Sequence, residues 1–151
     1  MVAMGYAFED FHSGDVIDLG TASVRRDEML AFARRFDPQP FHIDEAAARD
    51  SVLGGLCASG WFTCSLWMRA YADTVLAGST SQGSPGGRDL TWPAPVFPGD
   101  ELVCRAEIGP VRESRSRPGL GLVEVTGTAW RGETRVLGLT FTGLFGVRAA
   151  S

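Results

Sequence analysis

The sequence predicts an α+β protein in which one strongly apolar helix is enclosed by an antiparallel sheet. Three observations lead there. The stretch from Gly60 to Ala77 is apolar nearly all round, with Arg69 and Asp73 as its only charges. A helix without a polar face is either buried or spans a membrane, and this run is too short and too interrupted to span one. From Leu90 onward the pattern changes to the two-residue alternation of half-buried strands, punctuated by turn residues.

Length and composition agree with this class. A chain of 151 residues normally makes one domain, here taken as 1–151, and buries roughly 68–70% of its unfolded surface. The net charge of −4 argues against nucleic acid or an anionic membrane as the main partner. No lysine occurs among the 14 basic residues, all arginine, which rules out a lysine Schiff base. No basic region followed by an apolar core opens the chain, so no secretory signal is expected. Cys57, Cys64 and Cys104 are odd in number and lack metal-ligand spacing, which points to reduced thiols in a cytoplasmic protein and to no metal.

The elements follow in order. Ser13-Gly14-Asp15 is a turn signal leading into a first strand from Val16 to Val24. A helix comes next, with Asp27 and Glu28 at its start and Arg34 and Arg35 near its end, both complementing the helix dipole. Met29, Phe32, Ala33 and Phe36 recur at helical spacing and predict its buried stripe. Pro38 ends it. A short helical piece follows through Ala46, Ala47 and Ala48, with Asp44 as its N-cap. After the apolar helix, the Gly-, Ser- and Thr-rich stretch from Ala77 to Arg88 reads as a loop. Leu90 to Trp92 is a short strand closed by Pro93 and Pro95, and Phe97-Pro98-Gly99-Asp100 has the Pro-Gly order of a type II turn. Leu102, Cys104, Ala106 and Ile108 alternate with Glu101, Arg105 and Glu107, and Val123, Val125 and Ala129 alternate with Glu124, Thr126 and Thr128. Arg112 to Gly121 connects these two strands. Arg131-Gly132-Glu133-Thr134 makes a hairpin into a last strand from Arg135 to Val147.

Phe36-Asp37-Pro38-Gln39-Pro40-Phe41-His42 carries the chemistry. Each proline fixes its own φ and pushes the preceding residue out of the helical region, so Asp37 and Gln39 should be extended. A straight run would hold Asp37 and His42 roughly 16 Å apart, at about 3.3 Å per residue. They share a target only if this stiff loop bends back on itself. Carboxylate and imidazole at the ends of a rigid loop suit a site that must hold geometry.

The spacing Asp, two residues, Pro, one residue, His, followed by a glycine opening the apolar helix at Gly60, resembles the MaoC-like hydratases and dehydratases. The Phe97-Pro98-Gly99-Asp100 turn also resembles that family's turn into a strand. The likeness covers most of the chain. Two positions depart from the family pattern: Gln39 stands where Asn is usual, and Ser59 where His is common just before the helix glycine. The resemblance implies the hotdog fold, a single antiparallel sheet wrapped around a long central helix. It implies reversible addition of water to a 2-enoyl-CoA thioester, giving the (R)-3-hydroxyacyl product, without any cofactor. It implies Asp37 and His42 as the pair that shares one water, and the Gly60 N–H as the donor that meets charge on the thioester oxygen. It also implies pairing of two sheets into at least a homodimer.

The residue types suit that chemistry. Hydration needs a base for the water proton and an acid for the α-carbon, and a free N–H at a helix N-terminus has the dipole behind it. Ser59, Trp61, Gln39, Arg115 and Arg117 are the candidate substrate contacts. Each has a plainer reading beside it: Trp61, Phe62 and Trp67 as core, and Arg112, Arg115 and Arg117 as a solvated hairpin rather than contacts to CoA phosphates. Cys57 and Cys64 read as apolar fillers, with a Cys nucleophile acting with His42 as the alternative. His12 reads as a solvated turn residue. A hotdog acyl-CoA thioesterase and a non-catalytic acyl-CoA-binding protein are the alternative functions.

Overall fold

A computed structural model describes residues 5–148. Five strands form one antiparallel sheet: β1 Val16–Ser23, β2 Gly86–Thr91, β3 Glu101–Glu113, β4 Leu120–Arg131 and β5 Thr134–Gly146, in the spatial order β1-β3-β4-β5-β2. Four helices accompany it: α1 Arg26–Phe36, α2 Pro40–Ile43, α3 Glu45–Arg49 and α4 Gly60–Tyr71, the last continued by a π-helical turn over Ala72–Leu76. The sheet wraps α4 in the hotdog arrangement.

The alternation read in the sequence becomes the sheet's inner face. Leu102, Cys104, Ala106 and Ile108 of β3 are buried, as are Val123, Val125 and Ala129 of β4. They meet Phe62, Trp67 and Tyr71 of α4, and the Trp67 indole N–H donates to the Arg105 carbonyl at 3.0 Å. Burying each such large side chain contributes about 1.5–3 kcal/mol. Gly99 has φ +89° and Gly132 φ +58°, the left-handed conformations that the Pro-Gly turn and the β4–β5 hairpin require.

Four expectations are corrected. Phe36 does not join the buried stripe of α1: it is 62% exposed, because the helix ends there and its last turn overhangs the core. The stretch read as a loop to Arg88 contains the start of β2 at Gly86, and the strand stops at Thr91, so Trp92 lies just beyond it. β3 runs on to Glu113 through a bulge between Ile108 and Val111, which accommodates Pro110 within a strand. Finally, α4 is not enclosed on all sides by this chain, since Trp61, Ser65 and Met68 form an exposed stripe.

Candidate active site

The loop after α1 bends back as the pairing of its ends requires. Pro38 stops α1, and Gln39 is extended at φ −75°, ψ 144°; Asp37, at φ −150°, ψ 66°, is non-helical without being fully extended. Pro40 then takes the first position of a helical turn, where its missing N–H costs nothing, and the His42 N–H closes onto the Gln39 carbonyl at 2.9 Å. That turn was not visible as a periodicity, and it reverses the chain. As a result His42 Nε2 lies 3.4 Å from Asp37 Oδ2.

Both side chains are fixed from a second segment. The Cys57 N–H donates to the Phe41 carbonyl at 3.3 Å, and His42 Nδ1 is 2.8 Å from the Cys57 carbonyl oxygen. A carbonyl only accepts, so Nδ1 carries the proton and Nε2 is the nitrogen left facing Asp37. Ser59 Oγ donates to Asp37 Oδ2 at 2.7 Å, and Gln39 Nε2 donates to Oδ1 at 2.7 Å. Burial works to raise the Asp37 carboxyl, but these two hydrogen bonds and the nearby His42 ring outweigh it and hold the group below its ordinary value. Asp37 is therefore a carboxylate at neutral pH. Carboxylate oxygen and imidazole lone pair are both acceptors, so a water beside them can donate one hydrogen to each.

His42 lines a cavity of about 320 Å³ with Cys57, Ala58, Gly60, Thr63, Trp92, the wall Pro93-Ala94-Pro95-Val96, and Val136. Gly60 is the first residue of α4, with Ser59 as its N-cap accepting from the Trp61 N–H at 3.3 Å. The Gly60 N–H has no acceptor among the described residues, as one of the free donors at a helix N-terminus. A Cβ at Gly60 would overlap the Trp92 ring, so glycine is needed there on steric grounds. The proline wall is clamped in turn: Arg131 Nη1 donates to the Pro95 carbonyl and to Asp100 Oδ2, each at 2.8 Å.

Asp37, His42 and Gly60 are thus brought together, and the other candidates are placed differently. Ser59 is fully buried and, with Gln39, is committed to Asp37 instead of facing the cavity. Trp61 is 56% exposed, packed edge-on against Trp92 and not in the core. Arg115 and Arg117 sit in the hairpin beyond Glu113, at the far end of the β3–β4 pair from the Phe97–Asp100 turn. The thirteen residues of β3, roughly 40 Å of strand at about 3.3 Å per residue, separate them from that turn, and neither lines the cavity that holds His42. Cys57 touches His42 Nδ1 at 3.6 Å, but burial and the Asp37 charge push its thiol up, which leaves no thiolate for a nucleophile. His12 is exposed. Sequence reasoning missed the Cys57 carbonyl and Trp92. No side-chain identity could signal the first; Trp92 was legible only as a large aromatic beside two prolines.

Among the described residues no group of three or more His, Cys, Asp or Glu could hold a metal ion, and no helix is long and apolar enough to cross a membrane.

Residues 12–129 match the family model described as MaoC like domain. YdeM, an uncharacterized protein of Bacillus subtilis (strain 168), is 30% identical over 118 residues, which are 74% of this chain and 79% of that one. The crystal structure of a MaoC-like dehydratase from Rhodospirillum rubrum superposes with a TM-score of 0.86 at 35% identity, covering 97% of this chain and 100% of that one. The (R)-hydratase from A. caviae involved in PHA biosynthesis superposes at 0.72 with 21% identity over 93% and 99% of the two chains.

Proposed function

Since this chain belongs to the MaoC-like domain family, we propose that it is a cofactor-independent hydro-lyase adding water reversibly to a 2-enoyl-CoA thioester, in a single domain spanning 1–151. The observation that carries the reading is the 3.4 Å approach of His42 Nε2 to Asp37 Oδ2, with Nδ1 anchored on Cys57. Asp37, an acceptor with both oxygens anchored, orients the water. Its oxygen attacks the β-carbon while Nε2 takes one of its protons. The imidazolium, steadied by the carboxylate beside it, then returns a proton to the α-carbon. In between, the thioester oxygen carries the negative charge and is met by the Gly60 N–H. Water supplies both the hydroxyl and the hydrogen, and no electron acceptor is needed. The (R)-hydratase that superposes on this chain supports the reaction type and the handedness of the product.

Assembly belongs to the same reading. β2 is an edge strand exposed except at Leu90, and Trp61, Met68 and Trp92 leave apolar surface uncovered nearby. Such an edge invites pairing, and we place at least two copies in the assembly. The three cysteines are unpaired, which fits a reducing cytoplasm.

The test is loss of enoyl-thioester absorbance with a panel of 2-enoyl-CoAs, run beside a thiol reagent. Hydration without CoA release is the expected outcome. Release of free CoA would overturn the reading in favour of a thioesterase. Ligand-induced stabilisation without turnover would overturn it in favour of a binding protein.

A further inference from the structure

A second cavity, of about 380 Å³ and almost wholly apolar, lies beside the first. It is bounded by Cys64, Trp67, Met68 and Tyr71 of α4 and by Leu139 and Phe141 of β5. The catalytic cavity touches α4 at Gly60 and Thr63 and β5 at Val136. The two chambers therefore follow one another along both α4 and β5, the catalytic chamber first in each case. The boundary falls between Thr63 and Cys64 on the helix and between Val136 and Leu139 on the strand.

Trp92 stands at that boundary by two independent routes. Along the sheet, Thr91 pairs with Gly138, so the next residue leaves β2 beside the stretch of β5 that separates Val136 from Leu139. Along the helix, the Trp92 indole lies over Gly60, and its N–H donates to the Gly60 carbonyl at 3.0 Å. The Cys64 thiol, pushed up by burial, touches the same indole. Trp92 is 41% exposed, and Trp61 meets it edge to face at 5.3 Å.

We propose that Trp92 is the specificity-determining partition of this site: its indole closes the catalytic chamber off from the apolar chamber and limits the acyl group to a short chain. The inference rests on the reading that the ligand is an acyl thioester. Each methylene entering an apolar cavity tightens binding about fourfold. Behind a closed partition that gain stops once the first chamber is full. With the partition removed it continues into the second.

The experiment measures binding of saturated butanoyl-, hexanoyl-, octanoyl- and decanoyl-CoA by calorimetry, which requires no turnover. Wild type should gain affinity to about hexanoyl-CoA and then level off or weaken. Trp92→Ala should go on gaining through decanoyl-CoA, raising the decanoyl-to-butanoyl affinity ratio at least tenfold. Trp92→Leu should move it the same way and serves if the alanine variant does not fold. Leu139→Trp in the Trp92→Ala background fills the apolar chamber and should return the ratio toward wild type. A wild-type affinity that climbs steadily through decanoyl-CoA overturns the proposal, as does a ratio that neither variant moves. Binding with this length response but without hydration would overturn only the proposed reaction. If no acyl-CoA binds, the acyl-thioester reading and the partition fall together.

Discussion

Ser59 joins two functions in one hydroxyl, and replacing it by alanine separates them. Its Oγ accepts from the Trp61 N–H as the N-cap of α4 and donates to Asp37 Oδ2 at 2.7 Å. Loss of a cap costs about 1 kcal/mol, and loss of a hydrogen bond to a charged group about 1.5–3 kcal/mol. Ser59→Ala should therefore destabilise the fold by about 3 kcal/mol at neutral pH, or roughly 6–12 °C in Tm for a chain of this size. The two parts differ in their pH dependence. Asp37 titrates below its ordinary value when folded, so its contribution to stability is fully present above the unfolded pKa and is lost as pH falls through the folded one. The variant lacks one of the donors that hold the carboxyl down, its folded pKa moves back up, and it has less stability to lose on acidification. Urea denaturation from about pH 7 to about pH 3 should show the gap between wild type and variant shrinking by about 1–2 kcal/mol, with the cap contribution remaining. A gap constant across that range would refute the carboxylate part, and no gap at all would refute both. Turnover should fall up to about a hundredfold, since Asp37 keeps only its Gln39 anchor and a small misplacement of a catalytic group is costly.

Asp37→Asn should lower turnover by about 10²–10⁴ with a stability change of about 1–2 kcal/mol, read from progress curves and melts on the same preparation. His42→Ala should abolish activity too, but it also strips the buried Cys57 carbonyl of its donor and should cost about 1–3 kcal/mol; a loss of folding in Asp37→Asn as well would mark the pair as structural. Hydrating crotonyl-CoA in the presence of a dehydrogenase specific for (S)-3-hydroxyacyl-CoA, with NAD, should form no NADH, and prompt NADH would contradict the handedness proposed. Light scattering at micromolar concentration should give twice the chain mass of 16.2 kDa or more, and a monomer would leave the β2 edge and Trp61 unexplained.

Much of the fold was legible because it is written in local pattern. Pro38 does end α1, and Asp44 caps α3 through its side chain on the Ala46 and Ala47 N–H groups. The Leu102–Ile108 alternation faces the core, and Asp37 and His42 meet. The failures share a physical cause, which is that their determinants are not local. α2 is a four-residue turn, too short to show a period. β2 begins among glycines because its partner β5 lies more than 45 residues away in sequence, and pairing there overrides composition. Gln39 and Ser59 read as polar residues at the mouth of the pocket by position alone; only the closed loop reveals that Asp37 takes both. Arg115 and Arg117 looked available for phosphate because a sequence does not show which end of a strand pair faces the site.

The anchoring of His42 on a main-chain oxygen has a consequence for how this protein tolerates sequence drift. Every residue type at position 57 carries the same carbonyl, so the aim of the imidazole is indifferent to which side chain stands there. Cys57→Ala or Cys57→Val should leave the imidazole where it is, the former exchanging a thiol for a slightly smaller filler. What fixes the aim is the number of residues between Asp50 and Cys57, because the count determines which peptide unit arrives under the ring. Deleting Val52, which is fully exposed and touches almost nothing, would slide the next peptide into that place and turn its carbonyl away. In this segment chain length is heritable information, and the side chain at position 57 is not what aims the ring.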